Sequence, residues 1–203
     1  AVFYQTLATP QNLPVPHCYH ADFDPQTGAS ILLLQDLSGC RSVSFTKGCG
    51  LADARHVIEA LAKIHAQWWN SPKLAPLSGA AIVQEFPFGK LWADYPAKVK
   101  SLLQDIELPS SFLKLGDHIA RNQTAIFTKM LETAPITCVH RDIHLDNVMF
   151  DATKTNAGAI LLDWQLSGKG RGAYDVAYFL ISSLDPAQRR NSERSLVAHY
   201  HAC

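Results

Sequence analysis

Leu51, Ala54, Ile58, Leu61, Ile64 and Trp68 recur at spacings of three or four residues. That is the repeat of a helix with one buried face, and it predicts an amphipathic helix of about five turns, ended by Pro72 and Pro76. Phe112, Leu115, Ile119, Ile126 and Met130 trace a second long helix stopping before Pro135, its apolar stripe interrupted by Asn122. Asp185 and Pro186 supply a cap and a first position for a last helix, with 173–184 forming the one before it. Elsewhere the pattern shortens. Residues 15–22 and 30–36 are β-prone runs separated by the turn DPQTG, and NVMF (147–150) and AILL (159–162) flank the polar stretch DATKTNAG, which predicts a hairpin. The opening AVFYQTLATP reads as the end of a helix stopped near Pro10.

Composition narrows the class. A chain of 203 residues that is 47% hydrophobic and 18% charged buries one substantial core. Eighteen Lys and Arg balance eighteen Asp and Glu, so no net field draws it to nucleic acid or to an anionic membrane, and small molecules are the expected partners. No apolar run approaches the ~20 residues of a transmembrane helix. Five cysteines, odd in number and without a C-x-x-C pair, suit the reduced thiols of a cytoplasmic protein. Nothing in the sequence sets the oligomeric state.

The predicted hairpin brings Asn147, at the start of its first strand, beside Asp163, at the end of its second, roughly 5 Å apart if directly paired. An amide oxygen and a carboxylate are hard ligands of the kind that hold Mg²⁺ together with substrate phosphates. Asp142, just upstream, is a carboxylate able to take a hydroxyl proton. The plainer reading makes all three turn-forming residues. His140, Asp142 and His144 alternate on one strand face, which offers a second possibility, a Zn²⁺ or Mn²⁺ hydrolase. The run 168–172 (GKGRG) follows a strand and precedes a helix but lacks the G-x-G-x-x-G spacing of a phosphate cradle, so its glycines are read as serving tight turns. Lys169 and Arg171 are weak candidates for contact with an anionic substrate. Trp68, Trp69, Trp92 and Tyr95 are candidates to wall an apolar pocket, or ordinary core.

His140-Arg141-Asp142 followed by Asn147 fits the catalytic-loop pattern H-R-D-x-x-x-x-N of protein kinases, although Asp163-Trp164-Gln165 replaces their Asp-Phe-Gly. With His144 in the loop and Asp-Trp closing the strand, the segment resembles the aminoglycoside phosphotransferase and choline kinase group of small-molecule kinases. The stretches PVPHCYHADFD, ILLLQDLSG, LAKIHAQWWNSPKL and GRGAYDVAYFLISSLDPAQR resemble its ecdysteroid kinase-like branch. The resemblance implies an α+β protein-kinase-like fold, with residues 1–36 a remnant of the ATP-binding lobe and 37–203 the helical lobe. It implies ATP and Mg²⁺ as cofactors and a small-molecule alcohol as phosphate acceptor.

Asp142 would be the base and Asn147 and Asp163 the magnesium ligands. His140 and Arg141 would hold the loop, Arg141 with a phosphate contact as alternative, and His144 would make an orienting hydrogen bond. Gln35, Asp36 and Leu37 would pair with adenine through their backbone, although an ordinary strand-to-loop transition explains them equally. Asp175 would cap the catalytic-loop amides. The glycine-rich loop, strand lysine and partner glutamate of such kinases are expected upstream of Ala1, making the chain a fragment whose own activity, as opposed to nucleotide binding alone, stays open.

Overall fold

The computed structural model describes residues 2–8, 12–77, 88–102, 107–132, 135–151 and 158–203. The predicted helix stop at Pro10 and the hairpin loop 152–157 lie outside the described residues. A short helix α1 (Val2–Thr6) leads to the antiparallel pair β1 (Cys18–Phe23) and β2 (Ser30–Leu34), joined through the turn that the sequence anticipates. Asp24 fixes that turn by accepting hydrogen bonds from Gln26 N–H and the Thr27 hydroxyl.

The strand β3 (Arg41–Ser42) precedes α2 (Leu51–Gln67), the helix on which the rest is built. Of its predicted stripe Ala54, Ile58, Leu61 and Ile64 are buried, with Val57 beside them, whereas Leu51 in the first turn is exposed. Asp53 in its first turn complements the helix dipole and receives a two-pronged ion pair from Arg41, with contacts of 2.6 and 3.2 Å. The next two helices, α3 (Phe88–Leu102) and α4 (Ser110–Glu132), pack on each other. Trp92 of α3 lies over Gly116 of α4, where any Cβ would overlap its indole, and donates to Asp117 Oδ1 at 2.9 Å.

Six further helices and strands complete the architecture. They are β4 (Thr137–Val139), β5 (Val148–Asp151), β6 (Gly158–Leu161), β7 (Gly168–Gly170) and α5 (Ala173–Ser183), with α6 (Pro186–Ala202) closing the chain. Two small antiparallel sheets result, β3-β5-β6 and β4-β7. The helix α2 packs against β4, β6, α5 and α6, so the core runs through Ile58, Leu61, Ile143, Leu145, Leu161, Phe179 and Leu196. Asp185 caps α6 as expected, its Oδ1 accepting from Ala187 N–H at 2.9 Å, with Pro186 in the first turn. No helix among the described residues is long and apolar enough to cross a membrane.

Two expectations need correction. The run 168–170 is not a turn but pairs with 137–139 as a strand, whereas Gly172 does lie in a turn closed from Tyr174 N–H to Arg171 O at 2.9 Å, and at both Gly168 and Gly172 neighbours occupy the Cβ space. At Gly168 that neighbour is the Arg141 guanidinium, and at Gly172 it is the Tyr200 hydroxyl and the His65 ring. The four aromatics do not share one wall. Trp68 is core, Trp69 is half exposed, and Trp92 and Tyr95 cluster with Phe88 and Phe112 between α3 and α4.

Candidate active site

The hairpin β5–β6 forms with Val148 opposite Leu161, which sets Asn147 opposite Leu162 rather than Asp163. The Leu162 N–H donates to Asn147 O at 2.9 Å, and Asp163 follows one residue later. Asp163 adopts φ 57°, a left-handed conformation uncommon outside glycine and tolerated best by Asp and Asn, and caps the turn 164–166 by accepting from Gln165 N–H. Its carboxylate is exposed.

Asn147 Nδ2 donates to Asp142 O at 2.9 Å. Since a carbonyl only accepts, this assigns the amide orientation and leaves Oδ1 as the atom available to a cation. Asp142 is half buried, and its Oδ1 accepts from the Tyr178 hydroxyl at 3.0 Å, while Oδ2 lies 3.8 Å from His144 Nε2. Burial first, then the hydrogen bond to Asp142, pushes the Tyr178 phenol up to about 12, so it stays a donor throughout the neutral range.

The loop is held from beneath by Asp175, a fully buried carboxylate in the first turn of α5. Its Oδ2 accepts from His140 N–H at 2.6 Å and its Oδ1 from Arg141 N–H at 2.9 Å, and His65 Nε2 lies 3.2 Å from Oδ2. Burial alone would raise the Asp175 carboxyl, but the hydrogen bond and charge of His65, with the His140 N–H, outweigh it and hold the group below its ordinary value. His65 Nδ1 in turn meets the Tyr200 hydroxyl at 2.8 Å, tying the loop to α2 and α6.

His140 is fully buried, with Nε2 2.7 Å from Leu162 O and Nδ1 accepting from Asp142 N–H at 3.3 Å, which places the ring proton on Nε2. Arg141, at φ 71°, lays its guanidinium across Gly168 and donates to Lys169 O at 3.1 Å. His144 faces Asn147 Nδ2 at 3.3 Å and packs edge-on to Phe45, whose N–H is held by Asp146 Oδ1 at 2.9 Å. Gln35, Asp36 and Leu37 lie in the loop after β2, where Asp36 accepts from Ser38 N–H and hydroxyl, and Gln35 N–H is taken by His17 O.

The loop carboxylate of Asp142 thus sits near an amide and a second carboxylate at the end of one hairpin, and the family model of the phosphotransferase enzyme family, APH, matches residues 7–202. The chain belongs to that family. No curated protein sequence matches it significantly. Among solved structures it is similar to an aminoglycoside phosphotransferase from Alicyclobacillus acidocaldarius, at TM-score 0.55 and 16% identity over 99% of this chain and 63% of that one. The choline kinase LicA from Streptococcus pneumoniae gives TM-score 0.53 and 16% identity over 97% and 61%. A choline/ethanolamine kinase family protein from Mesorhizobium loti gives 0.52 and 17% over 96% and 60%. LicA has also been solved in complex with AMP. These likenesses establish the protein-kinase-like fold, and the chain spans about three-fifths of the length of the structures it matches.

Within this phosphotransferase framework the hydrolase alternative loses its ligand set. Both ring nitrogens of His140 are committed to the backbone, and no three His, Cys, Asp or Glu side chains among the described residues are grouped to hold a metal. Two features escaped the sequence reading. The left-handed backbone of Arg141 has no sequence signal at an arginine. Tyr178 does have one: it stands three residues after Asp175, on the same helix face.

Proposed function

We propose that the site transfers the γ-phosphate of ATP to a hydroxyl of a small molecule, with magnesium. The observation that carries this reading is the hydrogen bond from Asn147 Nδ2 to Asp142 O, which ties a metal-ligand amide and a base into one turn. Asn147 Oδ1 and the exposed Asp163 carboxylate are the hard-oxygen donors that would hold Mg²⁺ beside substrate phosphates. When bound, the ion neutralises charge developing on the β- and γ-phosphate oxygens.

Asp142 accepts the proton of the acceptor hydroxyl as that oxygen attacks. His140 and Asp175 fix the loop that carries it, Arg141 spans from that loop to β7, and His144 orients the open side of the carboxylate. With Gln35 N–H already engaged, adenine recognition falls to the Gln35 carbonyl and the Leu37 N–H, and residues 1–36 would belong to the ATP-binding lobe, 37–203 to the acceptor lobe. An apolar, ring-bearing alcohol as acceptor rests on the resemblance to the ecdysteroid kinase-like branch.

Asp142→Asn is the test. It should abolish phosphate transfer while Mg-ATP still raises the unfolding temperature, since a ligand at 100 times its dissociation constant stabilises by about 2.7 kcal/mol. Retained turnover would remove Asp142 as base. A thermal shift without turnover in the unsubstituted chain would mark a nucleotide-binding module instead.

A further inference from the structure

Every hydrogen-bonding atom of Asp142 but one is engaged. Its N–H donates to His140 Nδ1, its carbonyl accepts from Asn147 Nδ2, and its Oδ1 accepts from the Tyr178 hydroxyl. Among the described residues only Oδ2 is left without a hydrogen bond, facing His144 at 3.8 Å. The partners differ in kind. His140 and Asn147 belong to the same loop and move with it, whereas Tyr178 projects from α5, whose Val176, Phe179 and Leu180 are buried in the core.

One turn earlier on that helix, Asp175 receives the N–H groups of His140 and Arg141. A single helix face thus grips the loop twice, its backbone through Asp175 and its reactive side chain through Tyr178. We propose that Tyr178 is a positioning residue for phosphate transfer, locking the Asp142 carboxylate so that Oδ2 alone is presented to the acceptor hydroxyl.

The inference rests on the phosphotransferase reading given above. In the step it serves, the acceptor oxygen bonds to the γ-phosphorus while the bond from that phosphorus to the β–γ bridging oxygen breaks. The hydroxyl proton passes to Asp142 Oδ2, and the electron pair leaves on ADP. A carboxylate free to rotate about its Cβ–Cγ bond offers either oxygen and samples orientations in which neither meets the hydroxyl. The phenol removes that freedom. It remains a donor because burial keeps it protonated. Tyr178 also lines a hollow of about 420 Å³ with Arg171, Tyr174, Ala177 and Ile181, so one side of its ring is accessible.

The test compares the 203-residue chain with Tyr178→Phe, which keeps the ring and removes the hydroxyl. With Mg-ATP as donor and water as acceptor, phosphate release should fall about 10–100-fold in kcat with KM for Mg-ATP unchanged, as displacement of a reacting group does. Equal kcat in the two proteins overturns the proposal and leaves the phosphotransferase reading intact, and so does a joint change of kcat and KM with a lowered unfolding temperature, which marks a packing role. If the unsubstituted chain releases no phosphate, crystal structures of both proteins decide. A rotated or doubly placed Asp142 carboxylate in Tyr178→Phe supports the lock, and an unmoved one overturns it.

Discussion

Phe3 lies flat against Trp164, with ring centroids 3.8 Å apart and planes 4° from parallel. Among the described residues the indole's other ring contact is His140, at 4.6 Å, so a single aromatic column joins α1, the turn after Asp163 and the loop before Asp142. Because Trp164 is buried and its Nε1 donates to Leu161 O, it also anchors the left-handed backbone of Asp163. Trp164→Ala should cost about 3–5 kcal/mol, by the usual cost of removing a buried aromatic, and Trp164→Phe clearly less. Urea unfolding midpoints measure both, and equal midpoints for Ala and Phe would show that the stack contributes little.

Acid should weaken the protein through Asp175. Its folded carboxyl lies below the ordinary value, so its contribution is complete above the unfolded value of about 4 and is lost as pH falls through the folded one. Asp175→Ala should remove that acid-dependent loss and destabilise the chain at neutral pH by about 3–5 kcal/mol, the range for breaking a buried pair. Unfolding free energies at pH 7 and between pH 4 and 2 provide the comparison.

Much of this scaffold is legible in the chain. The periodic residues of α2 and the Asp185–Pro186 start of α6 specify their elements locally, and so do the apolar runs of the hairpin. What is not legible depends on distant partners. Residues 168–170, Gly-Lys-Gly, offer no β-prone side chain and form a strand alongside 137–139, with the Arg141 guanidinium in the space above Gly168. The helix α3 holds Pro96 inside it, a residue that argues against a helix from sequence alone. In the site, the spacing of Asp142, Asn147 and Asp163 is visible, but the one-residue offset that sets Asn147 opposite Leu162 depends on a register that the turn does not spell out.

Gly168→Ala should act at a distance. The added methyl overlaps the Arg141 guanidinium, so either β7 or Arg141 must move, at a cost of roughly 1–3 kcal/mol typical of overpacking. Adding Arg141→Ala should return part of that loss, and a double-mutant cycle from urea unfolding measures the coupling. Strictly additive effects would mean that the two residues do not compete for this space.

Magnesium dependence should separate the two proposed ligands from the base. Asp163→Asn and Asn147→Ala should each raise the Mg²⁺ concentration needed for Mg-ATP to shift the unfolding temperature, whereas Asp142→Asn should leave it unchanged. Chelation with EDTA should abolish the shift reversibly. Calorimetric titration of Mg²⁺ at fixed ATP reads all three variants, and an unaltered requirement in both ligand variants would rule out that pair.

The cysteines offer a reporter of unfolding. All five are free, Cys203 is exposed, and Cys138 is wholly buried with its thiol raised far above the ordinary range by that burial. Thiolates are the reactive form, so iodoacetamide at pH 8 should label Cys203 quickly and Cys138 only when the chain opens. Peptide mass mapping over time distinguishes them, and rapid native labelling of Cys138 would contradict its burial.

The grip of Asp175 on residues 140 and 141 also has a consequence for biosynthesis. A ribosome delivers the loop bearing Asp142 some thirty residues before the carboxylate that holds it and before Tyr178, while His65 waits longer still for Asp175 and Tyr200. Until α5 emerges the nascent loop has only the bonds among His140, Asp142 and Asn147 and its contacts to Phe45, Leu162 and Lys169, while the N–H groups of residues 140 and 141 still lack their acceptor. A chain stopped before residue 175 therefore carries the whole sequence signature of the loop without the carboxylate and the phenol that clamp it.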